Sequence, residues 1–451
     1  MASAPLVRGF GAGAAFAYRR GRRIGVEQFL GDVSRLAALL PERQYLLNLC
    51  ADRYHFCVGF AAALVRRQVN LLPPNETPDL IERLVARYPG TYCLSDGPTG
   101  LASLETMLFP EPDGHGAQIL PVPAVPVPAV PETQIAAIVF TSGTTGEPVP
   151  YRKSWGSLVR VARAEIEILG LDARPGMVVI GTVPSQHVFG LEATVLQVMQ
   201  GGLALYARRP FYPADVRVEL ASLPRPRSLV TTPVHLRVLL AEPDDLPPVD
   251  FLLCATAPLS PQLAAAAEAR FAAPLHEIYG CTESGGIASR RTVETEEWRA
   301  MRNVKLRAGG KRTWVKGGHV EFEVPLADII ELRSRGKFVL HGRTADLVNI
   351  AGKRTSLAHL NYHLNSIEGV RDGAFVLPEQ EGAAVTRLTA YVVAPALTPS
   401  ALMDALRLRI DAAFMPRPLH FVDALPRNDV GKLPRQSLSE FGTELAGRVG
   451  G

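Results

Sequence analysis

Apolar and polar positions along this chain follow two alternating periods. Residues 26–40 repeat apolar side chains at helical spacing, and Tyr45–Cys50 follows as a short continuous apolar run. The pair of signals recurs twice. Asp52–Arg67 reads as a helix before Val69–Leu72, and Pro78–Tyr88 before Thr91–Leu94. Helical stretches set between short buried strands predict βαβ units and parallel sheet. Further strands are predicted at Val178–Ile180, Leu203–Tyr206, Ser228–Val230, Phe251–Cys254 and His276–Ile278, with helices between them. The last three are spaced for a second α/β layer. Pro121–Pro131 carries five prolines alternating with Val and Ala, the pattern of a stiff, extended connector.

A boundary is expected at Gly342–Arg343. It divides residues 1–343, a large domain of layered α/β subdomains, from residues 344–451, a small α+β domain. In the latter the pattern predicts a helix at Leu357–Asn365, a strand at Leu388–Val393, a helix at Ser400–Phe414 and an edge strand at His420–Asp423. No internal repeat is evident.

Composition narrows the classes. At 451 residues and 47% hydrophobic, the chain exceeds one ordinary domain and can build a large core. Net charge is +4, but Lys and Arg do not cluster with aromatics, and doublets such as Arg19-Arg20 and Arg290-Arg291 read as solvated surface. That argues against a nucleic-acid partner. The five cysteines, Cys50, Cys57, Cys93, Cys254 and Cys281, include no C-x-x-C pair and no zinc spacing. Reduced thiols in a cytoplasm fit them best. No apolar run approaches the length of a spanning helix. Residues 9–18 make a poor signal peptide, being short and followed by Arg19, Arg20, Arg22 and Arg23. Neither pattern nor composition bears on oligomeric state.

The candidate chemistry begins at Phe140-Thr-Ser-Gly-Thr-Thr-Gly-Glu-Pro148, after the strand-like Ile135–Phe140. Three hydroxyls and two glycines between Ser142 and Gly146 suit a loop that wraps an anion, and a polyphosphate is the natural candidate. A plain Ser/Thr/Gly surface loop has the same composition. The G-x-x-x-x-G-K-[ST] pattern of P-loop NTPases is absent. Ile278-Tyr-Gly-Cys-Thr-Glu283 follows, then Phe338-Val-Leu-His-Gly-Arg343, Gly352-Lys-Arg354 and Leu425-Pro-Arg-Asn-Asp-Val-Gly-Lys-Leu-Pro-Arg435.

In this order, from residue 135 to 438, the motifs resemble those of the adenylate-forming superfamily: acyl- and aryl-CoA synthetases, peptide-synthetase adenylation domains and luciferases. The resemblance implies ATP-dependent activation of a carboxylic acid to an acyl-adenylate. Transfer follows to the thiol of CoA or to the phosphopantetheine of an acyl carrier protein. Such an enzyme must bring two anions together and neutralise departing pyrophosphate.

Carried onto this chain, the resemblance implies that Thr141, Ser142, Gly143, Thr144, Thr145 and Gly146 hold the phosphates. The family usually places a lysine where Val149 stands; Arg152 and Lys153 lie just beyond and are candidates for the missing charge. Glu283 would bind Mg2+, Thr282 would contact the α-phosphate, and Tyr279, with Gly280, would lie on adenine. Ala257 belongs to the strand end beside adenine. Asp328 would take the ribose hydroxyls, after Ala327 in place of the usual glycine. Arg343 and Arg354 would assist at ribose and phosphate. Lys432 is the expected catalytic lysine, on a mobile C-terminal domain. His187 would line the acyl pocket and gate water, although a lone His is as often structural, and Gly285 and Gly286 would border the pocket. The chain is short for the superfamily and is most similar to compact bacterial stand-alone ligases of aryl polyene pigment pathways. That implies a hydroxybenzoate-like aromatic acid, with medium-chain fatty acid second. A nucleotide-binding pseudoenzyme is the reading from a different class, favoured by Val149 and opposed by Glu283, Asp328 and Lys432.

Overall fold

The computed structural model describes residues 2–101, 104–110, 126–142, 148–309, 312–343, 347–350, 353–377, 388–428, 433, 437–438 and 440–442. Of the proline-alternating segment, the described end forms a short strand, Ala129–Pro131, paired antiparallel with Ser3–Pro5.

Among the described residues two large sheets dominate. The first has six strands, in the order 148–154, 135–142, 69–72, 45–48, 91–95 and 106–108. Its strands pair in parallel except for Pro148–Ser154, which folds back antiparallel on Ile135–Ser142. The second has eleven strands, in the order 328–332, 337–343, 298–300, 285–290, 275–281, 251–254, 227–231, 178–181, 204–206, 15–19 and 22–25. Its middle, from Leu275–Cys281 to Ala15–Arg19, is parallel, and both ends are antiparallel. Parallel strands need apolar cover on both faces. The helices Arg53–Val65 and Trp155–Leu169 supply part of it, each with a largely buried surface.

Local chemistry sets the helix starts. Asp52 caps Arg53–Val65, accepting from the N–H groups of Tyr54 and His55 at 2.9 and 3.3 Å. Ser154 caps Trp155–Leu169, its Oγ accepting from the Ser157 N–H at 3.0 Å. Each satisfies donors that the first helical turn leaves open.

From residue 347 onward the elements share a hydrophobic cluster of their own, including Val348, Leu360, Leu364, Phe375, Val392 and Leu402. A three-stranded sheet, 372–376, 389–393 and 419–421, lies against the helix Leu357–Asn365. The helix predicted at Ser400–Phe414 ends instead at Arg407, and Ala412–Phe414 is a separate short turn capped by Asp411. Ile410 and Phe414 still reach the same core, which is why the apolar period runs past the break. The strand predicted at His276–Ile278 is longer, Leu275–Cys281, and so carries Tyr279 and Gly280 on the sheet.

Candidate active site

Three of the sequence motifs fall at the same end of the same sheet. Val178–Gly181, Phe251–Cys254 and Leu275–Cys281 are parallel strands of the eleven-stranded sheet. Their carboxyl ends lead directly into Pro184–Gly190, Ala255–Pro258 and the turn Thr282–Ser284. The carboxyl ends of parallel strands are where open α/β sheets bind ligands.

Tyr279 and Asp328, both expected near the nucleoside, contact each other: the Tyr279 hydroxyl donates to Asp328 Oδ2 at 2.7 Å. The Tyr279 ring lies near Trp298 and Phe338, with centroids 5.6 and 5.8 Å away. Asp328 opens the strand Asp328–Leu332 and stands opposite Arg343 in the ladder. Arg354 stands opposite Asn349 in the hairpin that follows. Ala257 and Thr256 follow Phe251–Cys254, and Thr256 holds φ at 83°, an uncommon conformation for a β-branched residue. Such strain concentrates at functional sites.

Thr282 and Glu283 are half-buried in the turn between Leu275–Cys281 and Gly285–Arg290. Ser284 ties the turn together: its Oγ donates to the Gly285 carbonyl at 2.8 Å and lies 3.2 Å from Cys281 Sγ. Burial pushes the Cys281 thiol up to about 11, and the nearby Glu283 charge adds to the shift, so the group is a neutral thiol rather than a nucleophile. His187 is half-buried at the N-terminal cap of the short helix Val188–Leu191.

The six-stranded sheet meets this turn through its edge strand. Lys153, on Pro148–Ser154, donates from Nζ to the Glu283 carbonyl at 2.7 Å. Arg152, its neighbour on the strand, is exposed. Thr141 and Ser142 lie opposite Val149 and Pro148 at the mouth of the hairpin. Gly143, Thr144, Thr145, Gly146 and Lys432 lie outside the described residues.

Behind the turn is a polar cluster that sequence reasoning missed. Glu165 and Glu192 are buried, and so is His319. Glu192 Oε2 accepts from the Gly286 N–H at 3.1 Å, and Glu165 Oε2 from Gln197 Nε2 at 2.8 Å. Burial raises the pKa of Glu192 to about 7, against the pull of Lys153. It raises that of Glu165 further, helped by the Glu192 charge. Burial, then the Lys153 charge, lowers His319 to about 4 and keeps it neutral. A sequence signal for Glu192 existed: it is the one acid in the apolar run Val188–Met199.

Magnesium chemistry can be tested on the donor set. Among the described residues no group of three or more His, Cys, Asp or Glu side chains is placed to hold a metal. A single half-buried carboxylate, Glu283, suits an ion that arrives with polyphosphate oxygens rather than one held in a protein cage.

Known proteins share the sequence family and the fold. Residues 25–313 match the family model described as AMP-binding enzyme. The chain is 29% identical over 300 residues to 4-coumarate–CoA ligase of Rhodobacter capsulatus, covering 66% of this chain and 74% of that protein. Its fold is similar to that of ATP-bound MatB from Rhodopseudomonas palustris, with a TM-score of 0.79, 19% identity and coverage of 98% and 97%. It is similar also to the anthranilate CoA ligase AuaEII in complex with anthranoyl-AMP, with a TM-score of 0.78, 15% identity and coverage of 96% and 95%. The chain belongs to the AMP-binding enzyme family, and thus to the adenylate-forming superfamily. It is an AMP-forming carboxylic acid–thiol ligase.

Proposed function

We propose that this ligase activates an aromatic, hydroxybenzoate-like acid and passes the acyl group to CoA or to the phosphopantetheine of a carrier protein. The observation that carries the site assignment is the convergence of Pro184–Gly190, Ala255–Pro258 and Thr282–Ser284 at the carboxyl ends of parallel strands in one sheet. The aromatic preference draws support from relatives named for 4-coumarate and anthranilate.

In this reading the substrate carboxylate attacks the α-phosphate of ATP. The new C–O–P linkage forms as the α–β anhydride bond breaks and pyrophosphate leaves. Asp328 and Tyr279 orient the nucleoside, Thr282 meets the α-phosphate, and Glu283 offers a carboxylate to magnesium. When bound, magnesium supplies charge neutralisation on the phosphates. Lys432 places a cation between the two reacting anions, where it favours the transition state over the ground state. A thiolate then attacks the acyl carbonyl and AMP departs. The loop at 425–435 must leave to admit that thiol, so residues 344–451 act as a lid that reorients about 342–346.

ATP–pyrophosphate exchange with 4-hydroxybenzoate, cinnamate and octanoate tests the acid. Exchange with octanoate alone would overturn the aromatic reading, and ATP binding without any exchange would favour a pseudoenzyme. Thioester formation with CoA against a loaded carrier protein then separates the acceptors.

A further inference from the structure

The turn that carries Thr282 and Glu283 is gripped on both sides by one pair of side chains. On one side Lys153 Nζ donates to the Glu283 carbonyl at 2.7 Å. On the other Glu192 Oε2 accepts from the Gly286 N–H at 3.1 Å. Each feels the other's charge: Glu192 favours the charged form of Lys153, and Lys153 that of Glu192. They come from separate parts of the fold, an edge strand of the six-stranded sheet and the helical segment after His187.

We propose that Lys153 and Glu192 are positioning residues that clamp the Thr282–Gly286 turn and aim the Glu283 carboxylate at the metal–nucleotide complex, an inference that rests on the role given to Glu283 above.

Three features mark the arrangement as built for this. Glu192 begins a π-helical turn, Glu192–Leu196, inside an otherwise α-helical stretch. Single π-turns re-aim side chains and recur at functional sites. Gly285 holds φ at 75°, and a Cβ there would lie 2.6 Å from Glu192 Oε1. A Cβ on Gly286 would lie 2.4 Å from Glu165 Oε1. The two glycines therefore leave the space that the two carboxyls occupy. Finally, both contacts go to backbone atoms of the turn, which leaves the Glu283 side chain uncommitted to either partner. Burying ionisable side chains is a costly way to gain stability alone, since apolar side chains of similar volume do as well. Holding a ligand-bearing turn in one geometry is a role such a pair can fill. Lys153 thus serves the phosphates through the turn rather than by touching them.

The test compares full-length K153M and E192L with E283Q. It reads the magnesium dependence of ATP–pyrophosphate exchange, calorimetric binding of magnesium–ATP, and hydrogen exchange of the 282–286 amides. K153M and E192L should each raise the magnesium needed for half-maximal exchange about tenfold, the scale on which groups behind a metal ligand act. Both should weaken nucleotide binding in proportion, and E192L should speed exchange at the Gly286 amide. KM for the acid should stay near wild type. The double variant should lose little more than either single one. E283Q with unchanged magnesium dependence would remove the role of Glu283 itself. An impaired E283Q beside wild-type magnesium dependence in K153M and E192L overturns the clamp alone. If either variant fails to fold, K153A and E192A, which also remove the donor and the acceptor, decide by the same criterion: wild-type dependence in both overturns it.

Discussion

Arg237 reaches from the helix Pro233–Ala241 to Asp372, the first residue of a strand in the C-terminal region, 3.4 Å away. Asp372 also accepts from Arg427 Nε and Nη2 at 2.7 and 2.8 Å. Arg427 lies five residues before Lys432 in the sequence. One carboxylate therefore joins Arg427 to Arg237 of the large domain.

This link should favour the orientation used for adenylation. R237M is expected to slow ATP–pyrophosphate exchange more than thioester formation from preformed acyl-adenylate. An ion pair of this exposure, about one-fifth, is worth on the order of 1 kcal/mol, or roughly fivefold. Equal effects on the two half-reactions would count against it.

Lys432→Ala should abolish most exchange while leaving the fold intact. Loss of one preorganised charge contact costs about 3–4 kcal/mol of barrier, roughly 10²–10³ in rate. Wild-type exchange in this variant would refute the assignment of the lysine.

The buried carboxyls make stability depend on pH. Both Glu165 and Glu192 have folded pKa values above the ordinary 4.5, Glu192 at about 7, so the native state holds protons that the unfolded chain releases. The Glu192 contribution is full below about 4.5 and is lost as pH rises through about 7, and that of Glu165 is lost as pH rises through its own raised pKa. E165Q cannot ionise there, so its stability relative to wild type should increase over that window. Denaturant melts of both proteins between pH 4.5 and 8 check this; a constant difference would mean Glu165 binds protons alike in the folded and unfolded states.

Arg152 and Lys153 divide cleanly in their expected effects. Arg152 is exposed on the edge strand, and Lys153 is turned toward Glu283. R152A should change the ATP requirement little beside K153M. A larger effect of R152A, measured as KM for ATP in exchange, would make Arg152 rather than Lys153 the cation on which nucleotide binding depends.

Much of the α/β layering was legible because parallel strands buried on both faces write themselves as short apolar runs, as at Val69–Leu72 and Phe251–Cys254. The helix end at Arg407 was not, since Ile410 and Phe414 keep the helical spacing while the backbone turns away. Among candidate site residues, Tyr279, Thr282, Glu283 and Asp328 stood in short motifs and could be proposed. Glu192 left one faint signal, a lone acid in an apolar run, and Glu165 and His319 left none. The three meet only through tertiary packing between a helix, a π-turn and a hairpin turn, and no local spacing records that meeting.

Lys153 is also where the two large sheets become thermodynamically linked. Its strand leads out of residues 143–147, and its ammonium ends on the carbonyl of Glu283. A polyphosphate that steadies the hairpin steadies the turn, and a cation that steadies the turn steadies the hairpin. Linkage of this kind is reciprocal. The factor by which magnesium tightens pyrophosphate binding should equal the factor by which pyrophosphate tightens magnesium binding, and both should shrink together in K153M.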